Sequence, residues 1–143
     1  DQYLLRAELE AYAIMRVAEC DDLPRLLDDL GACHDRLVKA YAANDPRRYL
    51  AEIRSFYSAI AQHTGNKPLC KVLAQLNETA EPMRFNLLSR KLKESESVHY
   101  TLRIIQALKV GDFVTAAQIK REHVLLNLPS IIQAYAEARY EDG

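Results

Sequence analysis

The sequence predicts an all-α fold, an antiparallel bundle of about six helices, and three observations carry that reading. Apolar residues recur at three- and four-residue intervals over long stretches, the spacing of a buried helix face. No stretch alternates apolar and polar residues over more than a few positions, so strand signals are absent. The four glycines and five prolines sit mostly where helices should start or stop.

The first helix is expected from about Gln2 to Glu19, with Leu4, Ala7, Ala11, Ile14 and Ala18 on one face. Asp21 and Asp22 before Pro24 read as a cap followed by a first-turn proline. The second helix has the longest stripe: Leu23, Leu26, Leu27, Leu30, Cys33, Leu37, Val38 and Tyr41. Gly31 costs it about 1 kcal/mol relative to alanine. Asn44, Asp45 and Pro46 start a third helix with Leu50, Ile53, Phe56, Tyr57 and Ile60 inward, closed at Gly65 or Asn66. A fourth begins near Pro68 and carries Leu69, Val72, Leu73, Leu76 and Met83, with Pro82 expected to kink or break it. The polar stretch Ser89 to Glu96 leads to a fifth helix with Val98, Leu102, Ile105 and Leu108. Gly111 ends that helix, Asp112 caps the sixth, and Pro129 predicts a second kink or restart near Asn127. No internal repeat or low-complexity segment interrupts the pattern.

A chain of 143 residues, 49% apolar and 27% charged, makes one ordinary domain. Lysines and arginines are interspersed with acids, and the net charge is -1. That balance argues against a phosphate-gripping surface, which needs a clustered basic excess. Cys20, Cys33 and Cys70 are widely spaced and odd in number, which fits free buried thiols in a reducing cytoplasm better than a zinc knuckle or redox pair. No apolar run approaches the ~20 residues of a bilayer span, so no membrane role is expected. The chain opens on Asp1 and is helical in pattern almost at once, so a preceding segment is expected.

No nucleophile elbow, phosphate loop or glycine-rich turn is present, and an enzymatic role is not expected. Glu96 and His99 form a single Glu-x-x-His pair, whereas di-metal bundles use two such pairs with further glutamates; a bundle enzyme centred there needs both side chains inward. His34 reads as a half-exposed packing residue, and His63 lies beside a helix end, where the dipole favours it. His123 sits mid-helix with Ala116, Ile119 and Leu126, and Asn127 lies one turn on. This polar pair on an apolar face makes either a core hydrogen bond or the wall of a polar pocket.

Four stretches in register resemble the effector-binding C-terminal (FCD) domain of FadR-type GntR transcription regulators. Leu4 to Glu10 is similar to the opening helix, an arginine followed after three residues by a glutamate. Ile53-Arg54-Ser55-Phe56-Tyr57 sits where the family often has Asp-x-x-Phe-His, and Gly65-Asn66-Lys67-Pro68-Leu69 is similar to its Gly-Asn-Pro-x-Leu turn. Thr101 to Ala107, Asp112 and His123 resemble its His-x-x-Ile-x-x-Ala…Asp…His segment.

The resemblance implies a helical bundle with a central cavity, preceded by a DNA-binding winged helix, that dimerises and senses a small carboxylate. Many relatives hold a divalent metal with one Asp and three His. Here the matching positions are Ile53, Tyr57, Thr101 and His123, so a single imidazole remains. His99 is two residues out of register, a rotation of about 200°; a local slip would bring it in, yet Ile53 and Tyr57 would still not bind metal. The expectation is therefore a metal-free, cofactor-free ligand site of Ile53, Tyr57, Thr101, His123 and Asn127, with Arg6 or Arg84 to anchor a carboxylate. DNA would be met only through the absent N-terminal domain, and the assembly expected is a homodimer. The rival expectation is a degenerate bundle kept for dimerisation alone, its pocket filled by Ile53, Phe56 and Tyr57.

Overall fold

Helix starts are set by short polar side chains that satisfy otherwise orphaned amides. In the computed structural model, which describes the backbone of residues 2–142 and the side chains of residues 2–137, Asp22 accepts from the Arg25 amide at 3.1 Å, and Asp45 from the Arg48 amide at 3.1 Å. Asn66 accepts from the Leu69 amide at 3.0 Å, and Asp112 from the Thr115 amide at 3.0 Å. A proline in the first turn follows three of these caps. Helix ends at Gly65 and Gly111 take positive φ, 70° and 76°, which glycine adopts without strain.

The resulting elements are α1 (Gln2–Arg16), a 3₁₀ turn (Val17–Glu19), α2 (Leu23–Ala42), α3 (Pro46–His63), α4 (Lys67–Lys91), a second 3₁₀ turn (Leu92–Glu94), α5 (Ser97–Lys109) and α6 (Phe113–Asp142). No strand occurs among the described residues. Three-residue connections join α2 to α3, α3 to α4 and α5 to α6, and such short links turn consecutive helices back on each other. The main packings are α2 on α3, α1 on α6, α5 on α6 and α3 on α4. No helix among the described residues is long and apolar enough to cross a membrane.

Two apolar clusters result. The larger gathers Ile14, Leu26, Leu30, Phe56, Ile104 and Leu108 with their neighbours. The smaller joins Tyr3 and Ala7 of α1 to Val124 and Ile131 of α6, with Leu87 of α4 against them. The seam between the clusters is where the polar side chains collect.

Several sequence expectations shift here. Leu4 is exposed, and the inward face of α1 instead carries Tyr3, Arg6, Ala7, Glu10, Ala11 and Ile14. Leu102, Val72 and Leu126 are also exposed; α5 turns Tyr100, Thr101, Ile104 and Ile105 inward instead. Neither proline breaks its helix: α4 runs through Pro82 and α6 through Pro129. Both prolines are exposed, so the carbonyls freed one turn back lie at the surface, within reach of water. Of the three thiols, only Cys33 is buried; Cys20 and Cys70 are half-buried.

Leu30 and Val38 share the sequence stripe of α2 but not its fate, being 0% and 41% exposed. Leu30→Ala is expected to cost about 2–5 kcal/mol in urea denaturation and Val38→Ala no more than about 0.5. Equal losses at the two positions would contradict this packing.

Candidate functional site: a cationic cavity at the cluster seam

Helix α1 places Arg6 and Glu10 one turn apart, so both face the seam. Arg6 Nη1 lies 3.3 Å from Glu10 Oε1, and from α6 the Lys120 ammonium lies 2.9 Å from Glu10 Oε2. All three residues are almost out of water, at 4%, 2% and 6% exposure. The Lys120–Glu10 contact is ionic rather than a well-aligned hydrogen bond. Burial alone would raise the Glu10 carboxyl, yet Lys120 and Arg6 together bring it below its ordinary value. Burial, offset in part by Glu10, holds Lys120 down to about 8, so it is mostly charged at neutral pH.

Beside this triad lies a cavity of about 120 Å³. Arg6 reaches it from α1, Ile53 and Tyr57 from α3, Arg84 from α4, and Lys120, His123 and Asn127 from α6. Ser95 and Ser97 add hydroxyls where the chain enters α5. The Lys120 Nζ sits 3.8 Å from the Tyr57 ring centroid, a cation–π contact that holds the ammonium over the ring. The His123 ring stacks on Tyr100, with centroids 4.3 Å apart and planes 5° from parallel. Arg84 is half-buried, with its Nη1 donating to Asn77 Oδ1 at 3.4 Å. Burial and then the neighbouring Arg6 hold its pKa to about 10.

Two electrostatic facts define the site. Arg6 and Lys120 share one carboxylate, Glu10, among the described residues no carboxylate pairs with Arg84, and the cavity's other charged lining residues are Lys91 and Glu94. Among the described residues four buried side-chain polar atoms have no hydrogen-bond partner: Glu10 Oε2, which has the Lys120 ammonium as its ionic partner, and three without one, Arg6 Nε, Tyr57 Oη and His123 Nε2. Buried polar groups are ordinarily satisfied, and leaving one unpaired costs about 1–3 kcal/mol. Burial and then the Lys120 charge hold His123 at about 3, leaving it neutral, while burial raises the Tyr57 phenol so that it keeps its proton. The cavity therefore offers cations and neutral hydrogen-bonding groups in a dry setting.

Six of the seven site residues expected from sequence line this cavity: Arg6, Ile53, Tyr57, Arg84, His123 and Asn127. Thr101 does not. It is buried, but its hydroxyl lies 2.9 Å from His34 Nδ1 and donates to the Val98 carbonyl at 3.1 Å. Of the two explanations for His123 and Asn127, the pocket wall holds, since both line the cavity and His123 Nε2 has no partner. Glu96 and His99 are both exposed, which removes the bundle-enzyme idea built on them. Lys120 and Glu10 were missed as site residues. The available signal was their placement: Glu10 follows Arg6 by four residues, and Lys120 precedes His123 by three, on otherwise apolar faces.

The residues present do not fit the metal that the resemblance implies. Ile53 has no donor atom, the Tyr57 phenol keeps its proton, and Thr101 is engaged with His34. The Lys120 ammonium lies against Tyr57, where a second cation would be repelled. Among the described residues, no group of three or more His, Cys, Asp or Glu side chains could hold a metal ion.

Because His123 has a folded pKa below its ordinary value of 6.5, the native state resists protonation that the unfolded chain accepts. Stability is thus lost as pH falls from about 6.5 toward 3, by up to about 1.4 kcal/mol per pH unit. His123→Phe, which keeps a flat ring against Tyr100, should flatten the wild-type decline between pH 6.5 and 4.5 in chemical denaturation. Parallel declines in the two proteins would contradict the neutral, buried imidazole.

No curated protein matches the chain. Among solved structures, E. coli McbR/YncC is similar to it with a TM-score of 0.83 at 23% sequence identity, over 94% of this chain and 64% of that one. The chain thus spans less than two thirds of that protein's length, and at this identity the likeness shows the fold alone. The family model of the FCD domain matches residues 1–126, which include every cavity residue discussed above except Asn127 and Ile131 of the last helix and the adjoining Ser130. This chain belongs to the FCD domain family.

Proposed function

We propose that the chain is the effector-sensing domain of a GntR-type transcription regulator and that it binds a small organic acid in the cavity at the cluster seam. The observation that carries this reading is the cationic excess of Arg6, Arg84 and Lys120 over Glu10, with three buried polar atoms unpaired beside it. A buried charge without a partner is costly, and an entering carboxylate removes that cost while accepting hydrogen bonds from guanidinium and phenol. FCD family membership supports the sensing role. The cavity also speaks against a pocket filled by Ile53 and Tyr57, since both line it without closing it.

In this reading a winged-helix domain outside the chain contacts DNA, and the bound acid shifts the population of dimer geometries. Exposed Leu5 and Tyr12 on α1, with Leu125 and Ile132 on α6, are apolar side chains that a second copy could cover.

A thermal-shift screen of carboxylates, sugar acids and acyl-CoA compounds tests the reading. Saturable stabilisation is expected, worth about 2.7 kcal/mol when ligand stands at a hundred times its Kd, and His123→Ala should abolish it. A flat screen would favour a scaffold that only dimerises. Metal analysis is expected to find no stoichiometric divalent ion, and chelator should leave the melting temperature unchanged; a tightly held zinc or nickel with His123 as ligand would overturn the metal-free site.

A further inference from the structure

The misfit of the metal set has a structural counterpart. Three of its four positions, Ile53, Tyr57 and His123, still line the cavity, and the Lys120 ammonium lies beside the two polar ones, one turn before His123 on α6 and over the Tyr57 ring. We infer that Lys120 supplies, as a fixed part of the chain, the positive charge that a metal would bring, and that the site takes a small dianion.

This rests on the anion-binding reading above and sharpens it through charge. Glu10 neutralises one of the three cations, the buried Arg6 and Lys120 and the half-buried Arg84, and His123 contributes none. The charged groups at the rim, Lys91 and Glu94, are exposed and offset each other. Two positive charges therefore remain, one of them on Arg84, which makes no ion pair with a described carboxylate. A monoanion would leave one of these cations unpaired, whereas a dianion satisfies both. The polar atoms without partners match such a guest. Arg6 Nε–H and the Tyr57 hydroxyl donate to anionic oxygens, and His123 Nε2 donates or accepts according to its tautomer. A cavity of about 120 Å³ suits a short dicarboxylate or a phosphate group, and the convergence of three cations from α1, α4 and α6 serves either.

The experiment compares three probes on the purified chain at pH 7.0 in the presence of EDTA, by calorimetry and thermal shift. Succinate, and the doubly ionised fraction of inorganic phosphate at this pH, are the dianionic probes, and butyrate has the four-carbon skeleton of succinate with one charge fewer. At least one dianion is expected to bind ten or more times tighter than butyrate. Succinate alone would assign a dicarboxylate, and phosphate alone a phosphate monoester. Lys120→Met should weaken the dianion at least tenfold while changing butyrate little, and Lys120→Arg should recover most of the loss. If Lys120→Met fails to fold because Glu10 is left unpaired, Lys120→Met combined with Glu10→Gln restores neutrality to the pair, and Arg84→Met tests the second charge independently. Butyrate binding as tightly as the dianions would overturn the inference while leaving the organic-acid sensor standing. Dianion binding that disappears in EDTA and returns with zinc would overturn the role of Lys120. Silence from all three probes overturns the dianion, and only a flat response across the wider acid screen as well overturns the sensor itself.

Discussion

The Arg6–Glu10–Lys120 triad fastens α1 to α6 and at the same time makes the space beside it electropositive. Glu10 offsets part of the burial penalty on Lys120, and Lys120 and Arg6 together favour the ionised form of Glu10. Such an arrangement is not the cheapest way to hold two helices together. Buried ion pairs replaced by well-packed apolar residues often leave a protein equally or more stable. The stabilising burial lies elsewhere, in the cluster around Leu26, Leu30, Phe56 and Leu108. The triad is best understood through what it does to its surroundings: it places fixed charge in a buried seam, where the Lys120 charge adds to burial in keeping the His123 imidazole neutral.

Neighbouring contacts hold that field in place. Lys120 is steadied over the Tyr57 ring, and Tyr100 stacks under His123, so aromatic surfaces restrict both α6 side chains. At the far side, Ser95 exchanges a 2.7 Å hydrogen bond with the Tyr49 hydroxyl, which anchors the chain where it enters α5. The polar groups that α6 and the entry to α5 bring to the site are thus oriented before any ligand arrives.

What the sequence made legible was mostly local. Caps at Asp22, Asp45, Asn66 and Asp112 act on amides three residues away, so the residues that set each helix start are adjacent in the chain. The face a helix buries is a tertiary matter. On α1 the apolar reading favoured Leu4, whereas the seam draws Arg6 and Glu10 inward because each finds a charged partner there. Tyr57 and His123, which the family resemblance puts together, both line the cavity, since a shared fold preserves backbone register. It misplaced Thr101 because that hydroxyl is claimed by His34, a partner 67 residues away in the chain. Lys120 escaped notice for a simpler reason: a lone lysine among apolar residues ordinarily reaches water along its stem, and only the position of Glu10 keeps this one inside.

Helix α4 deserves a last thought for how unevenly it is held. Its buried residues, Leu69 and Leu73, lie in the first two turns, and no residue from 74 to 91 is fully buried. Pro82 removes a backbone hydrogen bond from that same half. A helix segment with few buried contacts sits at the low end of local stability and opens well below the free energy of global unfolding. It is this segment that carries Arg84 and Leu87 to the cavity. The wall through which a guest is gripped is therefore also a lightly packed part of the molecule. Part of any binding energy goes into tightening it, so amide protection along residues 74–91 would register occupancy as a change in order, even where no atom changes its average place.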